Sequence, residues 1–229
     1  MRYLFIIPAR GGSKGIPRKN IKPFNGKPLI CHSIDQARAF SPDADICVTT
    51  DDAEIIDTVR GYGLEVPFVR PDYLATDNMG TYEVLLHALN FYEERGIRYD
   101  AIVLLQPTSP LRTLDNIREA MDLYTPEIDM VVTVTEASSN PYYNCFEEDE
   151  DGFLKHSKGD GVYVRRQDAP EAWEYNGAVY VINPESLKQR RLSQFQKIRK
   201  TVMDKPHSVD LDTMFDWKLA ELLIKEKLV

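Results

Sequence analysis

"YLFIIPARGGSKGIPRKN" (residues 3–20) sets a short apolar run, Tyr3 to Ile7, ahead of a loop with three glycines and four basic residues, Arg10, Lys14, Arg18 and Lys19. An apolar run this short, without polar alternation, suits a strand buried on both faces of a sheet. Glycines let the following backbone take positive φ and approach a ligand closely. Successive N–H groups can then form an anion-binding concavity, and the basic side chains add charge-assisted donors for phosphate oxygens. The spacing fits neither the P-loop, G-x-x-x-x-G-K-S/T, nor the dinucleotide fingerprint, G-x-G-x-x-G. The plain alternative is a solvated basic turn after an edge strand. Two features weigh against it: the loop follows the first strand of an alternating pattern, and its charge opposes that of the whole chain.

The chain has 229 residues, 43% of them hydrophobic, and a net charge of −8. That length suits one sizeable core with a small appendage. The acidity argues against general nucleic-acid or anionic-membrane binding, which demands a basic surface. The basic cluster is therefore local and suited to a small anion. Cys31, Cys47 and Cys145 show no metal or redox spacing, which fits a reducing compartment. No stretch has the length to span a bilayer, and Leu4 to Ile7 is too short for a signal peptide. A soluble cytoplasmic protein is the expectation. His32, His87, His156 and His207 form no metal-ligand spacing.

Outward from the loop, strands and helices alternate. "PLICHSIDQARAF" (28–40) reads as a helix, "DICVTT" (45–50) as a strand, and Asp51 with Glu54 as an acidic capping box for a helix through Arg60. "EVPFVR" (65–70) is predicted as a strand. Thr81 to Arg95 carries one apolar stripe and ends at Gly96. "AIVLLQ" (101–106) and "DMVVTVT" (129–135) flank a helix from about Leu114 to Tyr124. "GAVYVI" (177–182) is a further strand, and Phe215, Leu219, Leu222 and Leu223 mark a last amphipathic helix. This order predicts an α/β fold: a three-layer, mostly parallel sheet with helices on both faces. Ligands sit at the carboxyl ends of such strands, which gathers Arg10, Thr50, Arg70, Gln106 and Thr108. The charged, glycine-punctuated stretch within 138–172 reads as an inserted arm of a single domain spanning 1–229.

Taken in order, "IPARGGSKGIPRKNI" (7–21), "TTDD" (49–52), "RPDYLATD" (70–77), "LLQPTSPLR" (104–112), "RRQD" (165–168), "NGAVYV" (176–181) and "VDLDT" (209–213) closely resemble the acylneuraminate cytidylyltransferases, the CMP-sialic acid synthetases. The resemblance spans almost the whole length. It implies the nucleotide-diphospho-sugar transferase (Rossmann-like) fold and transfer of CMP from CTP to a nine-carbon 2-keto sugar acid, with release of pyrophosphate. It further implies that Ala9, Arg10, Gly11, Gly12, Ser13, Lys19, Asn20, Arg70, Asp77 and Thr81 hold the nucleotide. Gln106, Thr108, Ser109 and Tyr180 would contact the sugar. Arg166 would reach across a homodimer interface toward the sugar carboxylate, making 138–172 a dimerisation arm.

Asp210 and Asp212 stand two apart, so in an extended segment they share a side. Two such carboxylates suit Mg²⁺, which takes hard oxygens together with substrate phosphates. The alternative is that Asp212 caps the final helix and Asp210 is exposed. The resemblance assigns the pair to Mg²⁺. In-line attack by the anomeric hydroxyl on the α-phosphorus puts charge on phosphate oxygens, and fixed cations stabilise such charge. Arg10, Lys19 and Asp212 are the expected catalytic residues. The proton acceptor stays open between Asp212 and a metal-bound water. Two departures fall on sugar recognition. Tyr142, Tyr143 and Asn144 follow Asn140-Pro141 where the family has a lysine, and "RRLSQFQ" (190–196) has Phe195 alone where the family pairs phenylalanines. Sialic, legionaminic, pseudaminic and deaminated sugars all remain open, as do GTP in place of CTP and a non-catalytic nucleotide-binding homologue.

Overall fold

Leu4, Phe5, Ile6 and Ile7 are all fully buried, as a strand inside a sheet covered on both faces requires. A computed structural model describes residues 1–12, 15–75 and 80–229. The strands are β1 (Tyr3–Pro8), β2 (Pro23–Phe24), β3 (Lys27–Pro28), β4 (Ile46–Thr49), β5 (Ala101–Leu105), β6 (Met130–Glu136), β7 (Phe146–Glu148), β8 (Leu154–His156), β9 (Trp173–Ile182) and β10 (Ile198–Val202). The α-helices are α1 (Leu29–Arg38), α2 (Ala53–Gly61), α3 (Thr81–Glu93), α4 (Leu114–Leu123), α5 (Pro184–Gln189) and α6 (Met214–Lys225).

The main sheet runs β10-β6-β9-β5-β1-β4. Strand β9 lies between β5 and β6 and is antiparallel to both, while the remaining pairs are parallel. Side chains alternate across the sheet. Phe5, Ile7, Val103, Leu105 and Val131 pack on α1, α2 and α4. Leu4, Ile6, Leu104, Met130 and Val132 pack on α3 and α5. A third cluster ties α6 to the N-terminal loop: Trp217 and Leu211 meet Ile16, Phe24 and Leu29. The helices covering both faces bear out the predicted three layers.

Several local expectations are corrected. Residues 65–70 form no strand; only a single bridge joins Thr50 to Val69, and Pro67 has no N–H to extend a ladder. The cap of α2 is Asp52, which accepts the Ile55 N–H at 3.0 Å. Asp51 turns instead to the Gly11 N–H, at 3.3 Å. In α6 the buried side chains are Trp217, Ala220 and Leu223, while Phe215 is 76% exposed. Trp217 sets that face by packing edge-on against Phe24, with centroids 5.1 Å apart. Strands β7 and β8 form a separate hairpin within 138–172 and leave Phe146, Phe153 and Leu154 exposed.

Asp129 ties the far edge of the sheet together. Its buried carboxylate accepts the Ser186 hydroxyl at 2.6 Å and the Gln196 and Lys197 N–H groups at 2.9 Å each. Burial opposes its charge, but these donors and Arg190 outweigh that and hold its pKa down at about 2. A carboxyl depressed in the fold adds stability that is complete above its unfolded pKa and is lost as pH falls through the folded one. Asp129→Asn should therefore cost about 1–3 kcal/mol at neutral pH and flatten the acid limb of melting temperature against pH. A melting profile that overlays the wild type at every pH would rule the anchoring role out.

Candidate active site

At the carboxyl ends of β1 and β5 opens a crevice of about 420 Å³. It brings together Arg10, Gly12, Lys19, Asn20, Arg70, Thr81, Gln106, Thr108, Asp210 and Asp212. One wall is the basic loop. The Lys19 side chain is nearly buried, and its ammonium donates to the Leu211 carbonyl at 2.6 Å and to Asp212 Oδ1 at 3.2 Å. Asn20 Nδ2 donates to the Arg10 carbonyl at 3.2 Å and so shapes the turn. Arg18 has φ 57° and faces away from the crevice, pairing with Asp52 at 2.7 Å and with Glu54. The glycines have distinct reasons to be glycine. A Cβ on Gly11 would collide with the Asp52 carboxylate, and one on Gly15 would collide with the Asp212 carbonyl. The loop's main chain is thus pressed against the acidic segment opposite.

Arg70 forms part of the floor. It is 4% exposed and donates to the Thr49 carbonyl and, at 3.2 Å, to the Thr49 hydroxyl. Burial lowers its pKa, partly opposed by Asp51. The other wall is the acidic segment. Leu211 is fully buried and donates its N–H to the Thr108 carbonyl at 2.8 Å. Asp210 and Asp212 flank it and both face the crevice. Thr213 caps α6, accepting the Asp216 N–H, so Asp212 does not serve as the cap. Burial raises the pKa of Asp210, and Asp212 adds to this, against the Thr108 hydroxyl and Lys19. Asp210 Oδ1 is buried without a hydrogen-bond partner. That orphaned oxygen, beside a second carboxylate, fits a hard cation. Among the described residues no group of three or more metal-capable side chains exists, so phosphate or water would have to complete the shell, as Mg²⁺ permits.

Gln106 and Thr81 are shared with a second, apolar chamber of about 280 Å³ between α3 and the β9–β10 region. Leu104, Met130, Tyr180, Leu192, Phe195 and Ile198 line it. Tyr180 stacks edge-on with Tyr175, centroids 6.2 Å apart, and burial, with Tyr175 and Asp210, pushes its hydroxyl up to about 12.

The remaining predicted residues lie elsewhere. Ala9 is buried, with its N–H on the Thr49 carbonyl at 3.0 Å, and Gly11 sits behind Gly12; neither lines the crevice. Ser109 is fully buried with an unpartnered hydroxyl and does not reach either cavity. Its turn points it into the protein, so the placement does not support a sugar contact. Arg166 is outside both cavities, held by Glu136 at 3.0 Å and the Ala137 carbonyl at 2.7 Å. Ser13 and Asp77 lie outside the described residues. Sequence reasoning missed the roles of Asp51 and Asp52 beneath the loop, the chamber residues Leu192 and Ile198, and Arg112. "TTDD" and Leu192 within "RRLSQFQ" carried the first two signals, with Ile198 two residues beyond that stretch.

A basic glycine loop facing two carboxylates across the carboxyl edge of such a sheet defines a nucleotide-handling enzyme of the nucleotidyltransferase class. The family model described as cytidylyltransferase matches residues 4–227, and the chain belongs to that family. It is 30% identical to the CMP-N,N'-diacetyllegionaminic acid synthase of Legionella pneumophila over 98% of this chain and 97% of that protein. It is 31% identical to the pseudaminic acid cytidylyltransferase of Campylobacter jejuni, again over 98% and 97%. A solved CMP:2-keto-3-deoxy-manno-octonic acid synthetase complexed with CTP shares the fold, with TM-score 0.72 at 16% identity over 99% of this chain and 100% of that one. Among the described residues no helix is long and apolar enough to cross a membrane.

Two substitutions probe this geometry. Gly15→Ala should leave the fold intact and cut turnover about 100-fold, because displacement of catalytic groups by about 1 Å has that effect; wild-type kinetics in that variant would dismiss the close packing of loop and acidic segment. Asp210→Asn should abolish turnover yet raise the melting temperature of the ligand-free protein, since it removes a buried charge that lacks full compensation. A lowered melting temperature would show that the carboxylate is already satisfied in the fold.

Proposed function

We propose that this protein transfers CMP from CTP to the anomeric hydroxyl of a nine-carbon 2-keto sugar acid and releases pyrophosphate. The observation that carries the reading is that the basic loop and the Asp210–Asp212 pair face each other across one crevice, in a chain similar end to end to CMP-nonulosonate synthases. The triphosphate lies along Arg10, Gly12, Lys19 and Asn20, with Arg70 and Thr81 behind it. Lys19 and Arg10 are cationic groups where charge builds on phosphate oxygens, and such preorganised charge lowers the barrier without reorganisation. Asp210 and Asp212 would hold Mg²⁺, which supplies charge neutralisation on the phosphates when bound. Gln106, Thr108 and Tyr180 orient the sugar.

The apolar chamber beside Tyr180 suits an acylamino substituent better than a bare hydroxyl, because hydroxyls buried there would lose hydrogen bonds. This favours N-acylated sugars such as legionaminic, pseudaminic and sialic acids over deaminated ones. Arg166 is outside its own crevice, and the β7–β8 hairpin carries exposed Phe146, Phe153 and Leu154. A homodimer in which Arg166 serves the partner's sugar carboxylate accounts for both. The three free cysteines and the need for CTP fit the cytoplasm.

The test is pyrophosphate release with Mg²⁺ and CTP across a panel of nonulosonic acids, repeated with GTP. Release with CTP and an N-acylated sugar is expected; silence with every sugar and both nucleotides would sink the reading. Arg166→Ala should raise the KM for the sugar about tenfold, as loss of one charge-assisted contact predicts, with KM for CTP unchanged. An unaltered sugar KM would remove Arg166 from the site.

A further inference from the structure

Arg112 is 2% exposed, and among the described residues no carboxylate pairs with it. Nη1 donates to the Gln106 carbonyl at 2.6 Å and to the Ala178 carbonyl at 3.1 Å, and Nη2 donates to the Ser33 hydroxyl. Nε has no acceptor. Burying a cation without a counter-charge is costly. What this one does is fasten three elements together: the end of β5, the middle of β9 and helix α1.

Both carbonyls sit one step from the reacting groups. Gln106 lines the crevice and the apolar chamber. Ala178 follows Gly177, whose φ is +74° and whose bare Cα faces the Gln106 amide and the Asp210 carboxylate. From the same turn, the Thr108 carbonyl holds the Leu211 N–H between the two aspartates. Helix α1 grips the turn again where Gln36 donates to the Arg112 carbonyl at 2.8 Å.

We propose that Arg112 is a positioning residue for transfer: its guanidinium fixes the Gln106 turn against β9, and through Thr108 and Leu211 it fixes the spacing of Gln106 from the Asp210–Asp212 pair. The inference rests on the transfer reading above. A planar fork spreads its donors widely enough to hold carbonyls on different elements in a fixed geometry; an ammonium, whose three donors radiate from one atom, does not reproduce that spacing.

Arg112→Lys keeps the charge and loses the fork. The expected result is near-native melting, CTP affinity by calorimetry within about 3-fold, kcat lowered about 100-fold, and faster amide hydrogen exchange confined to 105–109 and 177–179. Wild-type kcat with wild-type exchange overturns the proposal. So does a loss of kcat that tracks the fraction unfolded with no local change in exchange, because that is a stability role alone. Should Arg112→Lys fail to fold, Ser33→Ala decides: it removes one acceptor far from the crevice and should lower kcat about 3- to 10-fold with intact melting, whereas unchanged kcat refutes the role. If the wild type itself turns over no sugar, the transfer reading falls by itself. The exchange measurement still judges Arg112, and unaltered protection at 105–109 rejects it.

Discussion

An ammonium group near the start of the chain meets a main-chain carbonyl near its end: Lys19 and Leu211 are 192 positions apart and 2.6 Å from each other. The rest of the site depends on this closure. Lys19 holds the acidic segment from one side through Leu211 and Asp212, and Thr108 holds it from the other. Gly15 lets the two backbones touch. Cationic and anionic walls are thereby held close to each other in a fixed geometry, which keeps the cost of reorganisation small.

Beneath these walls the structure is stiff for an ordinary reason. The sheet's two faces are dry and closely packed, and such interiors do not deform smoothly. Arg70 and Arg112 are both nearly buried, and both spend their donors on main-chain carbonyls. Burial draws Arg112 down to about 9 and lowers Arg70; guanidinium groups stay protonated in folded proteins, so both remain cations beneath the crevice. Fixed positive charge below the floor is joined by Lys19 in the loop above, which the Leu211 carbonyl and Asp212 hold in place.

Much of this was legible in the chain. Undiluted apolar runs such as "YLFII" and "AIVLL" identify strands buried on both faces, and the order of elements fixes which strand ends gather. The loop and the acidic pair could be named because they match the motifs of a known family; by spacing alone a solvated basic turn and a helix cap were equally natural readings. Three things were not legible. The reversed direction of β9 leaves no mark in a buried strand, since "GAVYVI" reads the same either way. Pro67 removed a strand that local propensity favoured. Arg112 looked like the end of a motif, because a buried cation is visible only when its three acceptors, from 33, 106 and 178, come together in space.

The placement of β9 has a consequence for how the chain comes to be folded. Strands β5 and β6 do not pair with each other; β9 fills the slot between them, and it is made only after the 138–172 arm. Until residues 173–182 emerge from the ribosome, two of the most apolar strands present open edges. Unpaired edges of that kind invite pairing with other chains. The acidic run Glu147 to Asp151 emerges during this interval and supplies like-charge repulsion between nascent chains while the sheet waits for its missing strand.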